Sequence, residues 1–313
     1  MEPQGRRLWL LGGVTSVGKT ALSLAWAKQN KGEILSCDSV SFYRGLDVGS
    51  AKPDDHACAA VKHHGINLVN VNEVFDVGRY HEYARCVVEH ADNNCVQLLV
   101  VGGSGFFMQG FLRPVVDGMD VSEEIRKKVD GWYAEEGLKG CVGRLRELNP
   151  SGLLGIDLCN QARVRKALER CLQTGKEIAM IRQEFNRLPK PYAGYEKMMV
   201  WLDRENEDIE ERIERRTQKM LQEGMIEETQ RALESGMSEH PSLCNAVGYR
   251  EVRHYLEGKT NIEELKRSIS VATRKLVSKQ RKWFRKRFPP QARRLILPEE
   301  ELTPEDLNWV AGT

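Results

Sequence analysis

No stretch of this 313-residue chain is long and apolar enough to cross a bilayer. The early hydrophobic run after Arg6 and Arg7 is short and passes straight into a glycine-rich turn, so no secretory leader is expected. A soluble cytoplasmic protein with no membrane partner is the expectation. Net charge is equally scarce. The 47 basic and 45 acidic residues leave +2, so any affinity for nucleic acid must come from local clustering. The eight cysteines (Cys37, Cys58, Cys86, Cys95, Cys141, Cys159, Cys171, Cys244) form no C-x-x-C pair, and several fall in apolar strand or helix patterns. Buried, reduced thiols are therefore expected. A hydrophobic fraction of 41% against 29% charged suits one large domain with an insertion, or two domains.

Two further absences are local. The strand pattern Leu98 to Val101 runs into Gly102, Gly103, Ser104 and Gly105, where a nucleotide hydrolase usually carries an acidic magnesium ligand. A guanine-reading NKxD motif is also missing, and both gaps weigh against ordinary nucleotide hydrolysis. From Leu265 to Pro298 there is no acidic residue. That span holds Lys266, Arg267, Arg274, Lys275, Lys279, Arg281, Lys282, Arg285, Lys286, Arg287, Arg293 and Arg294, with Trp283, Phe284 and Phe288 among them. A solvated helix face mixes signs; a one-sign run interleaved with aromatics reads as a nucleic-acid footprint. It lies on a helix predicted over about Ile262 to Arg287, with an apolar seam of Ile269, Ala272, Leu276 and Trp283.

What is present begins at Leu8 to Thr20, LWLLGGVTSVGKT. Gly13, Gly18, Lys19 and Thr20 complete G-x-x-x-x-G-K-[ST] between an apolar strand and an apolar-periodic helix. Glycines let backbone N–H groups close on phosphate oxygens, the helix N-terminus adds positive potential, Lys19 adds a charge and the Thr20 hydroxyl suits Mg²⁺. A polyphosphate is expected there. A second strand, Glu33 to Cys37, ends at Asp38. In a parallel sheet that end lies beside the phosphate loop, although a solvated turn aspartate fits the spacing equally well.

Ser39 to Pro53 reads as a loop, Ile66 to Val71 and Gln97 to Val101 as strands, and Val77 to Ala91 as a helix. Adjacent His63 and His64 have no carboxylate cluster near them and suit a structural or RNA-contacting role better than a metal. From about Val115 the strand rhythm gives way to helical patterns at Val121–Glu136, Leu138–Leu148, Ala162–Leu172 and Lys176–Phe185, rich in arginine and lysine. Strand character returns at Met198 to Leu202, and a charged helix begins at Glu207 with the stripe Ile209, Ile213, Met220. Arg216 sits in that stripe, and an arginine on a buried face requires an anionic partner.

These stretches in series resemble the tRNA dimethylallyltransferase (tRNA isopentenyltransferase) family. The likeness runs through GVTSVGKT (13–20), DSVSFYRGLDVGSAKP (38–53), His63-His64, GGSGFF (102–107), NQARVRKALE (160–169), TGK (174–176), LDRE (202–205), RIERRTQKM (212–220), AVGYRE (246–251) and ATRKLVSKQRKWFR (272–285). It implies an α/β fold with a P-loop NTPase-like parallel sheet core and an all-helical insertion. The expected division is a core in 1–114 and 200–313, with an insertion in 115–199 that binds the tRNA anticodon stem-loop. It also implies a monomer that takes dimethylallyl diphosphate and Mg²⁺, and that prenylates N6 of the adenosine immediately 3′ of the anticodon.

The resemblance assigns catalysis to Asp38 as general base, with Arg216 and Thr15. It assigns the diphosphate to Gly13, Val14, Thr15, Ser16, Val17, Gly18, Lys19, Thr20 and Arg216, and the metal to Thr20. Contact with tRNA falls to Asp38, Ser39, Val40, Ser41, Ser104, Arg126, Ala162, Arg163, Val164, Arg165, Lys166, Asn245, Gly248, Tyr249, Arg250, Lys279, Arg281 and Arg285. The chain departs from the family pattern at Val14, Val17, Ser41, Ser104 and Asn160, which touches RNA recognition more than chemistry. Two other classes remain open on the residues alone. One is a P-loop kinase for a small molecule or nucleoside, using ATP. The other is a noncatalytic RNA-binding protein with a relic phosphate loop.

Overall fold

The computed structural model describes residues 6–153, 155–297 and 300–312. The first part carries strand β1 (Arg7–Gly13), helix α1 (Lys19–Asn30), β2 (Glu33–Ser36), α2 (Asp55–Ala60), β3 (His63–His64), α3 (Val77–Asn93), β4 (Leu98–Gly102) and α4 (Gly105–Gln109). Three helices follow, α5 (Glu123–Glu147), α6 (Gln161–Thr174) and α7 (Ile178–Asn186). The last part carries β5 (Glu196–Arg204), α8 (Asn206–Gln222), α9 (Met225–Glu234), α10 (Pro241–Cys244), α11 (Tyr249–Leu256), α12 (Ile262–Arg287), β6 (Arg293–Ile296) and β7 (Val310–Ala311).

Among the described residues the sheet runs β3-β2-β4-β1-β5-β6, with β7 on β5. All neighbours are parallel except β7. A parallel sheet is covered on both faces, so its strands read as continuous apolar runs rather than alternating ones. Leu8, Leu10 and Leu11 of β1 are accordingly all buried. Pairing of Gly12 with Gly102 on one side and Trp201 on the other brings the C-terminal ends of β1, β4 and β5 to one edge. Gly12 has a packing reason: a Cβ there would lie 2.3 Å from the Phe284 ring, so only glycine lets α12 cross this edge.

The sequence pattern misplaces three features. Ile66 to Val71 is not a strand. Gly65 and Asn67 have φ of 75° and 54°, in the left-handed region, which breaks an extended ladder and leaves one isolated bridge, Tyr43 to Val69. The sheet uses His63–His64 instead. The chain separates into one compact unit that runs to Phe111 and resumes at Tyr192, and a second unit, Leu112–Pro191. The return to the sheet comes earlier than residue 200, because Glu196 to Met199 already pair with Arg7 to Leu10. The buried side of α12 is Ile269, Thr273, Val277, Gln280 and Phe284, whereas Leu276 and Trp283 of the expected seam are half-buried.

The second unit has its own core, built from Val129, Cys141, Leu145, Val164, Leu168 and Cys171. Gly137, at φ 64° and ψ −164°, breaks α5 into two helical stretches. Asn160 caps α6 by accepting the Arg163 N–H at 3.1 Å.

In the first unit a buried ion cluster ties the C-terminal elements to β5. Asp203, fully buried, accepts from Arg281 of α12 at 2.7 Å and from Arg293 of β6 at 2.7 Å. A buried carboxylate is tolerated when its charge is paired and its lone pairs are satisfied. Here the backbone N–H of Arg204 adds a third donor at 3.0 Å.

Candidate active site

The phosphate loop spans the gap between β1 and α1. Gly18, in the left-handed conformation, is the N-cap of α1 and supplies no side-chain acceptor. The first-turn N–H groups are therefore left for an external anion. Not every residue of the loop takes part. The Val14 N–H donates to the Leu202 carbonyl at 3.3 Å, and the Thr15 N–H donates to Gln280 Oε1 at 2.8 Å. Val14 and Val17 are fully buried in the core, and the Val17 carbonyl accepts from Arg204 Nε at 3.2 Å. Val14 and Thr15, both expected at the diphosphate, thus have their N–H groups engaged in holding the loop. The turn itself is made by Ser16 at φ 65°, whose Oγ is buried without a hydrogen-bond partner.

Lys19 turns its ammonium inward, donating to the carbonyls of Gly13 at 2.9 Å and Val14 at 2.8 Å. Burial pushes its pKa down to about 7, a fall that the Asp38 charge opposes and Arg216 reinforces. Thr20 is exposed and lines the same cleft, which encloses about 1250 Å³ and is also lined by Ser16, Asp38, Ser41, Asp47, Lys52, Arg212, Arg216 and Gln280.

Asp38 lies just past β2, where its Oδ1 accepts the Val40 N–H at 2.9 Å. Its charge acts on both Lys19 and Arg216, so the three form one electrostatic group. Arg216 comes from α8, whose Ile209, Ile213, Thr217 and Met220 are buried. Burial lowers the pKa of its guanidinium, again against Asp38. Among the described residues no carboxylate lies within ion-pair distance of Arg216. A desolvated cation without a paired carboxylate, beside a second such cation and an uncapped helix start, makes an anion site.

Two polar residues of this region carry no local sequence signal. Gln280 joins the phosphate loop to the end of β4, where its Nε2 donates to the Gly103 carbonyl at 3.0 Å. Glu228 of α9 is buried and accepts four hydrogen bonds. They come from the N–H groups of Asp47, Val48 and Gly49 at 2.7, 2.8 and 3.0 Å, and from the Tyr249 hydroxyl at 2.8 Å. It fixes the loop that carries Asp47 and Lys52 along the cleft wall. Lys52 is in turn held by the Tyr43 carbonyl, Asp47 and Asn67.

The residues expected to meet RNA fall into two groups. Lys279 and Arg285 are exposed on α12, with no ion-pair partner among the described residues. Ser39 and Val40 are half-buried, Ser41 is buried, Ser104 starts α4, and Asn245 is exposed. In the second unit Ala162, Arg163 and Lys166 are exposed, while Arg126 pairs with Asp120 at 3.3 Å. Three expectations fail on burial or commitment. Val164 is a fully buried core residue, and Tyr249 is buried with its hydroxyl on Glu228. Arg281 spends its guanidinium on Asp203, Asn206 Oδ1 at 2.5 Å and the Arg204 carbonyl at 2.5 Å. Arg165 pairs with Asp130 and stacks over Tyr133 at 5.3 Å, Arg250 pairs with Glu251, and the Gly248 N–H donates to Glu251 at 2.8 Å. His64 pairs with Glu33 at 2.6 Å, and among the described residues no group of three or more His, Cys, Asp or Glu is placed to hold a metal.

The family model described as IPP transferase matches residues 41–287. A tRNA dimethylallyltransferase of Opitutus terrae is 41% identical over 287 residues, covering 92% of each chain. One from Christiangramia forsetii is 31% identical over 274 residues, covering 88% of each. Among solved structures, the tRNA isopentenylpyrophosphate transferase of Bacillus halodurans superposes with a TM-score of 0.68 at 25% identity, over 96% of this chain and 93% of that one. A eukaryotic dimethylallyltransferase acting on tRNA shares the fold, with a TM-score of 0.80 at 21% identity over 94% of this chain and 74% of that one. With the phosphate loop, Asp38 and Arg216 in one cleft and matches of this extent, the chain belongs to the IPP transferase family.

Proposed function

We propose that this protein transfers the dimethylallyl group of dimethylallyl diphosphate to N6 of the adenosine 3′-adjacent to the anticodon in tRNA. The observation that carries the reading is that Lys19, Arg216 and the Asp38 carboxylate line one cleft at the phosphate loop. Prenyl transfer needs both signs at once. The C1–O bond of the allylic diphosphate breaks, its electron pair leaves with the diphosphate, and charge grows on oxygens that Lys19, Arg216 and the start of α1 stabilise. The N6 lone pair forms the new C–N bond, the nitrogen becomes acidic, and Asp38 takes the proton. The products are prenylated adenosine, diphosphate and one proton.

The exposed Thr20 hydroxyl at the loop is the group that would hold a Mg²⁺ ion. Such an ion would supply additional neutralisation of the leaving group. Incubation with dimethylallyl diphosphate, Mg²⁺ and unmodified tRNA, followed by mass spectrometry of the digested nucleosides, tests the reading. Rapid ATP turnover with a small acceptor, and no prenylated nucleoside, would refute it.

Two measurable consequences follow from the charges. Burial brings the pKa of Lys19 down to about 7, and the side chain must be charged to hold an anion. Below its free pKa it is already protonated and binding needs no proton. Above it, binding a diphosphate takes up a proton and affinity falls as pH rises, by up to about tenfold per unit. Calorimetry of pyrophosphate binding at about pH 8 in buffers of different ionisation enthalpy should show this uptake in the wild type and not in Lys19→Arg, because arginine stays charged. Equal uptake in both would assign the proton elsewhere.

Affinity for tRNA should also be steeply salt-dependent through α12. Each neutralised phosphate contributes roughly 0.7 to 0.9 to the log–log slope, so Lys279→Glu with Arg285→Glu should flatten it by about 1.4 to 1.8. An unchanged slope would make that face merely solvated.

A further inference from the structure

We propose that Gln280 is a positioning residue for the transfer, one that turns the Thr15 hydroxyl into a hydrogen-bond acceptor facing the cleft. The inference rests on the prenyl-transfer reading and changes the part that Thr15 plays in it. Gln280 is 8% exposed, and both ends of its amide are engaged. Oε1 lies 2.8 Å from the Thr15 N–H nitrogen and 3.2 Å from Thr15 Oγ, and Nε2 lies 3.0 Å from the Gly103 carbonyl. A backbone N–H can only donate and a carbonyl can only accept, so the amide has one permitted orientation. Oε1 then has no proton to give, and the Thr15 hydroxyl must donate to it. What Thr15 Oγ presents to the cleft is lone pairs.

Lone pairs repel a diphosphate and attract an N–H. The adenine amine has two in-plane N–H bonds, and Asp38 can receive one of them. Thr15 Oγ, an acceptor on the same cleft wall, takes the other, which fixes the amine plane and aims the nitrogen at the allylic carbon. Gly103 is built for this arrangement, since a Cβ there would come within 2.5 Å of Gln280 Nε2.

The experiment is a double-mutant cycle read in single-turnover prenylation, with pyrophosphate affinity measured separately by titration. Gln280→Met keeps the length and removes the amide; Thr15→Val removes the hydroxyl and keeps the N–H. Each is expected to slow transfer by roughly 10- to 100-fold, the scale of a misaligned reactant, with pyrophosphate affinity within about threefold of wild type. The double variant should be no slower than the worse single, because both changes lose the same hydroxyl orientation. Slow transfer with pyrophosphate affinity retained, together with losses that do not multiply, is a pattern that a merely loosened phosphate loop does not give.

Multiplicative losses would overturn the proposal, as would a large loss of pyrophosphate affinity in Thr15→Val. Transfer by the wild type is the control: its absence removes the functional reading itself, whereas transfer with the wrong variant pattern removes only the role of Gln280.

Discussion

Asp38→Asn is expected to slow single-turnover prenylation by roughly 10² to 10⁴, the usual worth of a general base, while tRNA affinity changes little. Asparagine keeps the size and the oxygen that accepts the Val40 N–H, so the turn after β2 should survive. What it loses is the capacity to take a proton. The adenine amine is a weak nucleophile because its lone pair is delocalised into the ring, and its N–H becomes acidic only as the new bond forms. A group that first accepts a hydrogen bond and then the proton acts at that moment. The substitution also removes the negative charge that supports Lys19 and opposes their mutual repulsion with Arg216. With that anion gone, pyrophosphate should bind the variant at least as tightly as the wild type. Slow transfer with undiminished pyrophosphate and tRNA binding is the signature of a lost base. Near-normal transfer would reject the assignment, and a parallel loss of tRNA binding would make Asp38 a positioning group.

Arg216→Ala should cost about 10² to 10³ in transfer, the scale seen when one preorganised donor to a developing oxyanion is removed. The effect on stability should have the opposite sign. Arg216 is half-buried without an ion-paired carboxylate among the described residues, and burial works against its protonated state, opposed in part by Asp38. Deleting a charge that Asp38 compensates only in part removes a penalty, so the melting temperature of the ligand-free variant should be unchanged or higher. Arg216→Lys should recover only part of the rate, because an ammonium cannot present the planar pair of N–H groups that matches a phosphate edge. A destabilised Arg216→Ala protein, or one with full activity, would return the residue to a packing role.

Periodicity made the long elements legible. The amphipathic pattern of α12 places it at Ile262 to Arg287, the span it occupies, and the phosphate motif fixes the start of α1. The arginine in the α8 stripe lines the cleft and is half-buried. The misses share one cause. A polar residue that points inward looks, along the chain, like one that points outward. Arg281 reads as one more member of a basic run until Asp203 is brought beneath it by β5. Gln280 and Glu228 are invisible for the same reason, since their partners lie between 177 and 265 residues away for the one and between 21 and 181 for the other. The false strand at Ile66 to Val71 shows the converse, because apolar content alone says nothing of backbone handedness at Gly65 and Asn67.

The register of the sheet also sets the order in which a nascent chain can become safe. β1 is central, yet the strand that covers one of its edges, β5, begins at Glu196. Between them the ribosome must make the whole Leu112–Pro191 unit, whose apolar core is internal to itself and can close without waiting. At about 5–20 residues per second the edge of β1, carrying Leu8, Leu10 and Leu11, stays open for roughly 10 to 40 s after it leaves the tunnel. That interval is when capture by chaperones, or pairing with a neighbouring nascent chain, should be greatest. Ribosome-bound chains halted before residue 196 should show it, and chains halted once β5 has cleared the tunnel should not. Placing a helical unit between two neighbouring strands therefore gives this enzyme a window of vulnerability during its own synthesis.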